Sequence, residues 1–467
     1  MTSPPILSAR HYAWITLAFV IFVIYGSLVP LAAQPVTLDK ALERFGRAFT
    51  QSVQIAHRSD WLANILLFIP LGFVGMGWQC VDRAERSSLP FAYPARFGRR
   101  SVVVISLLLI SFVALSTLIE FVQIWFPPRH TSINDVAAET LGGAIGIGIW
   151  QIAGQATTDY VRRFWTTHAE GNWAIRLIPG YLVILVIAQG MPFDLTLSPS
   201  VLGRKLRDGR VLAIPFTLTS GERLDVVRKA LINFAYFLPA GLLIAGLPGR
   251  IAVGRNAGWR ALGLGFCLAC AIEAMQMLVF TRYFDTTDII TGSIAVLAGW
   301  KLMRMHFSKT DPRHGRSLRS LLFLAWVAAL VFINWEPFDF TTDSGFLNRR
   351  WAEASFVPFA DYYAGNYLLS FSAMLDKTLL FVPFGLLLAS TLNSRGPWLV
   401  VVCALSLAML IEAGQFFLRH HTPGISDLIL EPIGAWLGCL IAPRLGLVSQ
   451  LNSPEAILSQ ADGAKGS

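Results

Sequence analysis

Apolar residues in this chain gather into runs of membrane-spanning length, and the polar residues that interrupt those runs recur at fixed spacing. Twelve runs lie near 13–33, 61–79, 102–126, 133–153, 174–192, 230–247, 260–280, 287–304, 318–335, 375–392, 397–418 and 425–442. About 20 residues of helix cross the hydrocarbon of a bilayer, so each run predicts a transmembrane helix. Asn64, Pro70 and Gly72 return as Asn233, Pro239 and Gly241, and again as Lys377, Pro383 and Gly385. Glu120, Gln123 and Asp135 return as Glu273, Gln276 and Asp288, then as Glu412, Gln415 and Asp427. Each Asp is followed eleven residues later by Gly146, Gly299 or Gly438. Self-similarity on this scale decides architecture before any single residue does. The predicted fold is an all-α polytopic membrane protein of about 12 transmembrane helices in three four-helix repeats, over residues 1–155, 172–306 and 317–446. Four is even, so the repeats run parallel, unlike the inverted pairs of many transporters. The polar tail, 447–467, is predicted to be disordered.

Composition agrees with a lipid solvent: 54% of residues are hydrophobic, 14% are charged and the mean hydropathy is +0.55. The first run resembles a cleaved signal peptide, with Arg10 before it and Leu31-Ala32-Ala33 after it. The equivalent runs ending at Pro192-Phe193-Asp194 and Pro337-Phe338-Asp339 are internal, however, so 13–33 is read as a retained helix. Lys and Arg collect after the second, fourth, sixth and eighth runs, at 83–100, 162–176, 250–260 and 301–319. This bias predicts cytoplasmic termini in a cell inner (cytoplasmic) membrane. The opposite side is also basic, since 196–229 carries Arg204, Lys205, Arg207 and Arg210 among others. A net charge of +9 fits anionic lipid and gives no reason to invoke nucleic acid.

On this topology every repeated polar residue converges on the outer boundary of the membrane. Asn64, Asn233 and Lys377 sit near the outer end of each second helix. Glu120 lies six residues, about 9 Å, before the third helix ends near Phe126, and Gln123 shares its face one turn on. Asp135 opens the fourth helix, and the loop before it holds Arg129, with Arg282 and His421 in the same place in the later repeats. Ionisable groups inside a membrane are expensive, about 2.5–3.5 kcal/mol each on insertion scales, and usually face a bundle interior. The same residues also have a structural reading, in which Glu, Gln and Arg lock helices together and Asp caps the next one. The Pro and Gly of the second helix lean to structure, Pro70 as a kink and Gly72 as a close-packing point.

The order Asn-(x)5-Pro-x-Gly, Glu-x-x-Gln, Arg, then Asp at the start of a glycine-bearing helix resembles the VanZ-like family, in three tandem copies covering most of the chain. Ile214-Pro215-Phe216 and Val357-Pro358-Phe359 are similar to that family's Ile-Pro-Phe segment, which the first repeat lacks. Where the family commonly has Asn four residues after the Asp, this chain has Glu139, Gly292 and Glu431. The third repeat also departs at Lys377 and His421. The resemblance implies a polytopic membrane protein whose named relative lowers susceptibility to the glycopeptide teicoplanin; it implies no defined reaction.

Other signals recede. The five Cys lie mostly in apolar runs, where they act as small hydrophobes. Cys267-x-x-Cys270 has no second pair, so no metal is expected. No phosphate-cradling glycine loop, nucleophile elbow or zinc-protease helix motif occurs, and no cofactor is expected. Aromatic and basic residues in 196–229 and 340–374 suit segments lying at headgroup level. Three functions remain open. The first is binding of a membrane lipid headgroup or lipid-linked envelope precursor, with Asn64, Gln123, Asp135 and their equivalents as contacts and Arg129 and Arg282 on phosphate. The second is an intramembrane enzyme with Glu120, Glu273 or Glu412 as general acid or base. The third is a transporter, which polar groups gathered at one face rather than at the midplane disfavour.

Overall fold

The computed structural model describes residues 7–50, 58–84, 99–127, 129, 131–166, 173–196, 198–216, 223–249, 252–307, 312–353, 356–362, 367–392, 396–421, 423–443 and 445. The tail at 447–467 lies outside the described residues. Two compact bodies form. Of the described residues, those within 1–168 and 362–370 form one, which holds the first repeat; those within 169–361 and 371–445 form the other.

The first repeat contains α1 (Ala9–Leu28), α2 (Leu38–Thr50), α3 (Arg58–Ala84), α4 (Arg99–Gln123) and α5 (Ile133–Ile149), which continues through a π turn (Trp150–Gly154) into α6 (Gln155–Thr166). The second contains α7 (Trp173–Gly190), α8 (Pro199–Arg207), β1 (Val211–Leu212), α9 (Arg223–Ala245), α10 (Ala257–Met277), β2 (Phe284–Asp285) and α11 (Thr286–Phe307). The third contains α12 (Pro312–Trp335), α13 (Ser344–Glu353), α14 (Tyr367–Leu392), α15 (Pro397–Gln415) and α16 (Asp427–Ile441). Each repeat therefore has four main helices, placed at its four apolar runs. Among the described residues, ten helices are long and apolar enough to cross a membrane. The remaining two long elements, α11 and α16, fall outside that set, and α16 has only 15 residues. A short polar helix follows the first long helix of every repeat: α2, α8 and α13.

Glycine decides which helices touch. A Cβ on Gly72 of α3 would clash with the Gly143 carbonyl of α5, and a Cβ on Gly146 of α5 would clash with the Ile69 carbonyl of α3. The same reciprocal contact joins Gly241 to the Val296 carbonyl and Gly299 to Leu238, then Gly385 to Ala435 and Gly438 to Val382. Helices in lipid have no hydrophobic drive toward one another, so small residues that admit backbone contact carry their association. The repeated glycines thus pair the second and fourth helices of each bundle.

After its first helix each repeat makes a cis peptide at Val29-Pro30, Met191-Pro192 or Glu336-Pro337, followed by Leu31, Phe193 or Phe338 at φ of +62°, +57° and +64°. The chain then runs beside the end of the third helix. The N–H groups of Gln34, Thr196 and Thr341 donate to the carbonyls of Trp125, Leu278 and Phe417, each at 2.8 Å. The Ile-Pro-Phe segments dock on the fourth helix: Phe216 N–H donates to Thr287 Oγ1 at 2.9 Å and Phe359 N–H to Ser426 Oγ at 2.7 Å.

Repeats two and three share a core. Leu231, Ile232 and Ala235 of α9 belong to the apolar cluster built on Leu380, Phe381 and Phe384, while Leu375 and Leu379 of α14 pack into the cluster of repeat two. Leu375 and Leu379 are the repeat-three counterparts of Leu231 and Ala235, so the two repeats meet through equivalent positions, as partners do across a two-fold axis. The polar contacts depart from that symmetry: Tyr236 hydrogen-bonds to the Asp376 carboxylate, and Arg228 pairs with Glu336 at 3.1 Å.

Candidate functional site

At the polar end of each bundle the repeated side chains make the same bonds three times. The glutamate of the third helix is buried, with 1%, 2% and 8% exposure for Glu120, Glu273 and Glu412. Its Oε2 accepts from a backbone N–H twelve residues on: Ser132 at 2.6 Å, Asp285 at 2.8 Å and Gly424 at 2.7 Å. A carboxylate held this way fixes the turn that starts the fourth helix. The glutamine one turn later bonds the first helix instead. Gln123, Gln276 and Gln415 donate through Nε2 to the carbonyls of Ser27, Gln189 and Asn334, at 3.1, 3.2 and 3.1 Å. These carbonyls end the first helix of each repeat, where backbone acceptors lack partners within the helix.

The loop cation works beside it. Arg129 donates through Nε to Val29 O at 3.1 Å and through Nη2 to Gly26 O at 2.8 Å. Arg282 repeats this on Met191 O at 2.7 Å and Ala188 O at 3.4 Å, and His421 Nε2 donates to Glu336 O at 2.5 Å. Histidine at this position therefore keeps the bond that matters, to the carbonyl just before the cis proline. A positive group at a helix C-terminus is also favoured by the helix dipole.

The second and fourth helices differ more between repeats. Asn64 hydrogen-bonds the Asp135 side chain. Asn233 instead donates to Asp288 O at 2.8 Å and Thr291 Oγ1 at 2.7 Å. Lys377 forms an ion pair with Asp427 at 2.6 Å and donates to Asn334 Oδ1 at 2.8 Å. One turn below the Asp, Glu139 accepts from Ser116. Repeat two has Gly292 at that height, with Ala269 opposite, so both partners are gone together. Repeat three keeps Glu431 but has Ala408 opposite. Glu431 is 0% exposed, both its oxygens lack a hydrogen-bond partner, and the Lys377 ammonium stands 3.9 Å away. Lysine in place of asparagine thus serves two carboxylates.

The Asp does not cap its helix in the first two repeats. Ser132 caps α5 by accepting from Asn134 N–H at 3.1 Å, and Asp285 accepts from Thr287 N–H at 2.8 Å at the start of α11. Asp135 and Asp288 are the third residues of their helices.

Two further cations at this end escape a motif reading. Lys205 of α8 is 2% exposed, and its Nζ lies 3.3, 3.0, 2.5 and 3.0 Å from the carbonyls of Gln276, Met277, Val279 and Arg282. Arg350 of α13 likewise donates to Gln415 O, Phe416 O and Leu418 O at 2.9, 3.3 and 2.6 Å. Burial lowers the pKa of Lys205 from its ordinary value, and the Asp194 carboxylate opposes that shift. Four carbonyl acceptors call for the three donors of an ammonium, so the charged form is the one held. Both residues stand thirteen after the cis proline, the one signal that links them. In repeat one that offset falls on Glu43, which is two-thirds exposed and paired with Arg47 at 3.4 Å, and Phe45 packs on Phe121 instead.

Among the described residues no group of three His, Cys, Asp or Glu could hold a metal ion. Three bundles, each closed by the same polar clasp, define a multi-pass helical membrane protein of the tandem-repeat type. The chain belongs to the VanZ/LLP1 family, whose family model matches it three times, at residues 13–154, 161–307 and 320–447. Neither curated proteins nor solved structures provide a match.

Proposed function

We propose that this VanZ-like protein binds a lipid headgroup or lipid-linked glycan at the polar end of its bundles, in a cytoplasmic membrane with that end outside and both termini in the cytoplasm. The observation that carries this reading is the division of labour among the repeated residues. Glu, Gln and Arg or His are spent on backbone groups, which makes the polar end a fixed platform. In repeat one the second and fourth helices add Asn64, Asp135 and the buried Glu139 to that end, with Asn64 bonded to Asp135 and Ser116 to Glu139. Carboxylate and amide oxygens suit a headgroup rich in O–H or N–H donors, such as sugar hydroxyls or an amine, better than a bare phosphate.

A rigid binding platform makes no use of a transferable proton on the glutamates. The test is a mass-spectrometric comparison of lipid-linked envelope intermediates in a deletion strain, the complemented strain and a strain with Glu120, Glu273 and Glu412 all changed to Gln. The amide oxygen of Gln still accepts the loop N–H, so the expected result is that no intermediate builds up in the triple-Gln strain. One species accumulating in the deletion and triple-Gln strains alike would assign chemistry or passage of that lipid to the glutamates. Reporter fusions at both termini test the orientation; cytoplasmic activity at each is expected.

A further inference from the structure

An open groove of about 580 Å³ runs between α4 and α5 of repeat one, lined by Val113 and Thr117 on one wall and Val136, Ala137, Thr140 and Ala144 on the other. Its volume lies within the range of ligand clefts, roughly 300–1,000 Å³. From Ile133 to Ala144 it follows eleven residues of helix, about 16 Å. Both walls belong to helices long and apolar enough to cross a membrane, and a groove between two such helices opens toward lipid hydrocarbon when they do. Its upper lip, Ile133, adjoins Ser132, whose N–H is held by Glu120.

At three of the wall positions the other two repeats carry larger residues on the same helices. At the positions of Val113, Ala137 and Ala144, repeat two has Phe266, Ile290 and Leu297, and repeat three has Leu405, Ile429 and Trp436. Phe266, Ile290, Ile429 and Trp436 project from the surface, with exposures of 54%, 36%, 38% and 42%. Bulk thus stands in those repeats where repeat one is hollow. The scaffold tolerates large residues at these three places, so their small size in repeat one is not imposed by the fold. The wall also holds a polar group: Thr140 Oγ1 is buried with no hydrogen-bond partner among the described residues.

We propose that repeat one seats a single membrane phospholipid, one acyl chain lying in the α4–α5 groove and the headgroup reaching the turn at Ser132–Asp135. This rests on the lipid-binding reading above and assigns it to one repeat of three. Repeat three is suited to a different task, because Lys377 already fills its polar end with an internal ion pair.

The test uses the full-length protein in nanodiscs containing a phospholipid with a photoreactive diazirine in its acyl chain, with adducts mapped by peptide mass spectrometry. Adducts on 109–117 and 133–144 should exceed those on the equivalent stretches 262–270 with 286–297 and 401–409 with 425–436 by about tenfold or more. Ala137→Ile with Ala144→Trp, which installs repeat three's own residues, should bring repeat one down to the level of the others. Val113→Phe, repeat two's residue, is the second variant should the first fail to fold. Equal labelling of all three repeats, or labelling unchanged by a folded groove-filling variant, overturns the proposal. Asp135→Asn in the same assay separates the two readings. If filling the groove abolishes the adducts and Asp135→Asn leaves them intact, the chain site stands and the headgroup reading falls.

Discussion

Glu120 and its two equivalents are held by a backbone N–H and hold it in return, so what replaces them matters more than that they are replaced. Glu120→Gln keeps an acceptor at the Ser132 N–H and should leave thermal stability of the purified protein nearly unchanged. Glu120→Leu leaves that buried donor unpaired and should destabilise by about 1–3 kcal/mol. Repeat three offers a sharper test, because Lys377 is the counter-charge of both Asp427 and the fully buried Glu431. Lys377→Asn, which restores the residue of the other repeats, strands those carboxylates and should cost about 3–5 kcal/mol. Combining it with Glu431→Ala should recover much of the loss, giving a coupling of about 1 kcal/mol or more in a double-mutant cycle. Additive losses would show that Lys377 and Glu431 do not sense each other. Spacing revealed which residues matter here, but not their partners. Gln123, Arg129 and Lys205 all bind backbone carbonyls, and an acceptor that every residue carries leaves no mark in the sequence.

At the level of elements, the glycine pairs hold the second and fourth helices at backbone contact. Gly241→Leu drives a side chain into the Val296 carbonyl and should lower the melting temperature far more than the same change at Gly263, which has open space around it. The long helices were legible because lipid demands an unbroken apolar run, and the run is visible in composition alone. The short helices α2, α8 and α13 were not, since they are polar and their placement depends on contacts with the third helix. Aromatic and basic residues marked two of those loops as interfacial, without indicating a helix or the cation in it. The π turn that carries α5 on into α6 likewise left no pattern to read, and extends that helix well past its apolar run.

At the scale of the molecule, repeats two and three are joined by equivalent faces of α9 and α14, with asymmetric polar contacts that include the bond from Tyr236 to Asp376. The mirror of that pair is Ile232 and Leu380, both apolar. Tyr236→Phe should therefore destabilise by about 1–3 kcal/mol through the stranded carboxylate. Adding Asp376→Leu, which makes the pair match its mirror, should restore most of it; thermal unfolding in detergent reads both. Three copies also free the repeats to diverge, and the polar ends have done so: an Asn–Asp side-chain pair with a second carboxylate in repeat one, an asparagine bonded to a backbone carbonyl and a threonine in repeat two, and an internal lysine in repeat three. The most direct measurement of the central claim is native mass spectrometry of the protein released from its own membrane, wild type beside Asp135→Asn with Glu139→Gln. The account predicts one class of lipid with a donor-rich headgroup retained by the wild type and lost from the variant. Retention of the same lipids by both, or of none selectively, would contradict it.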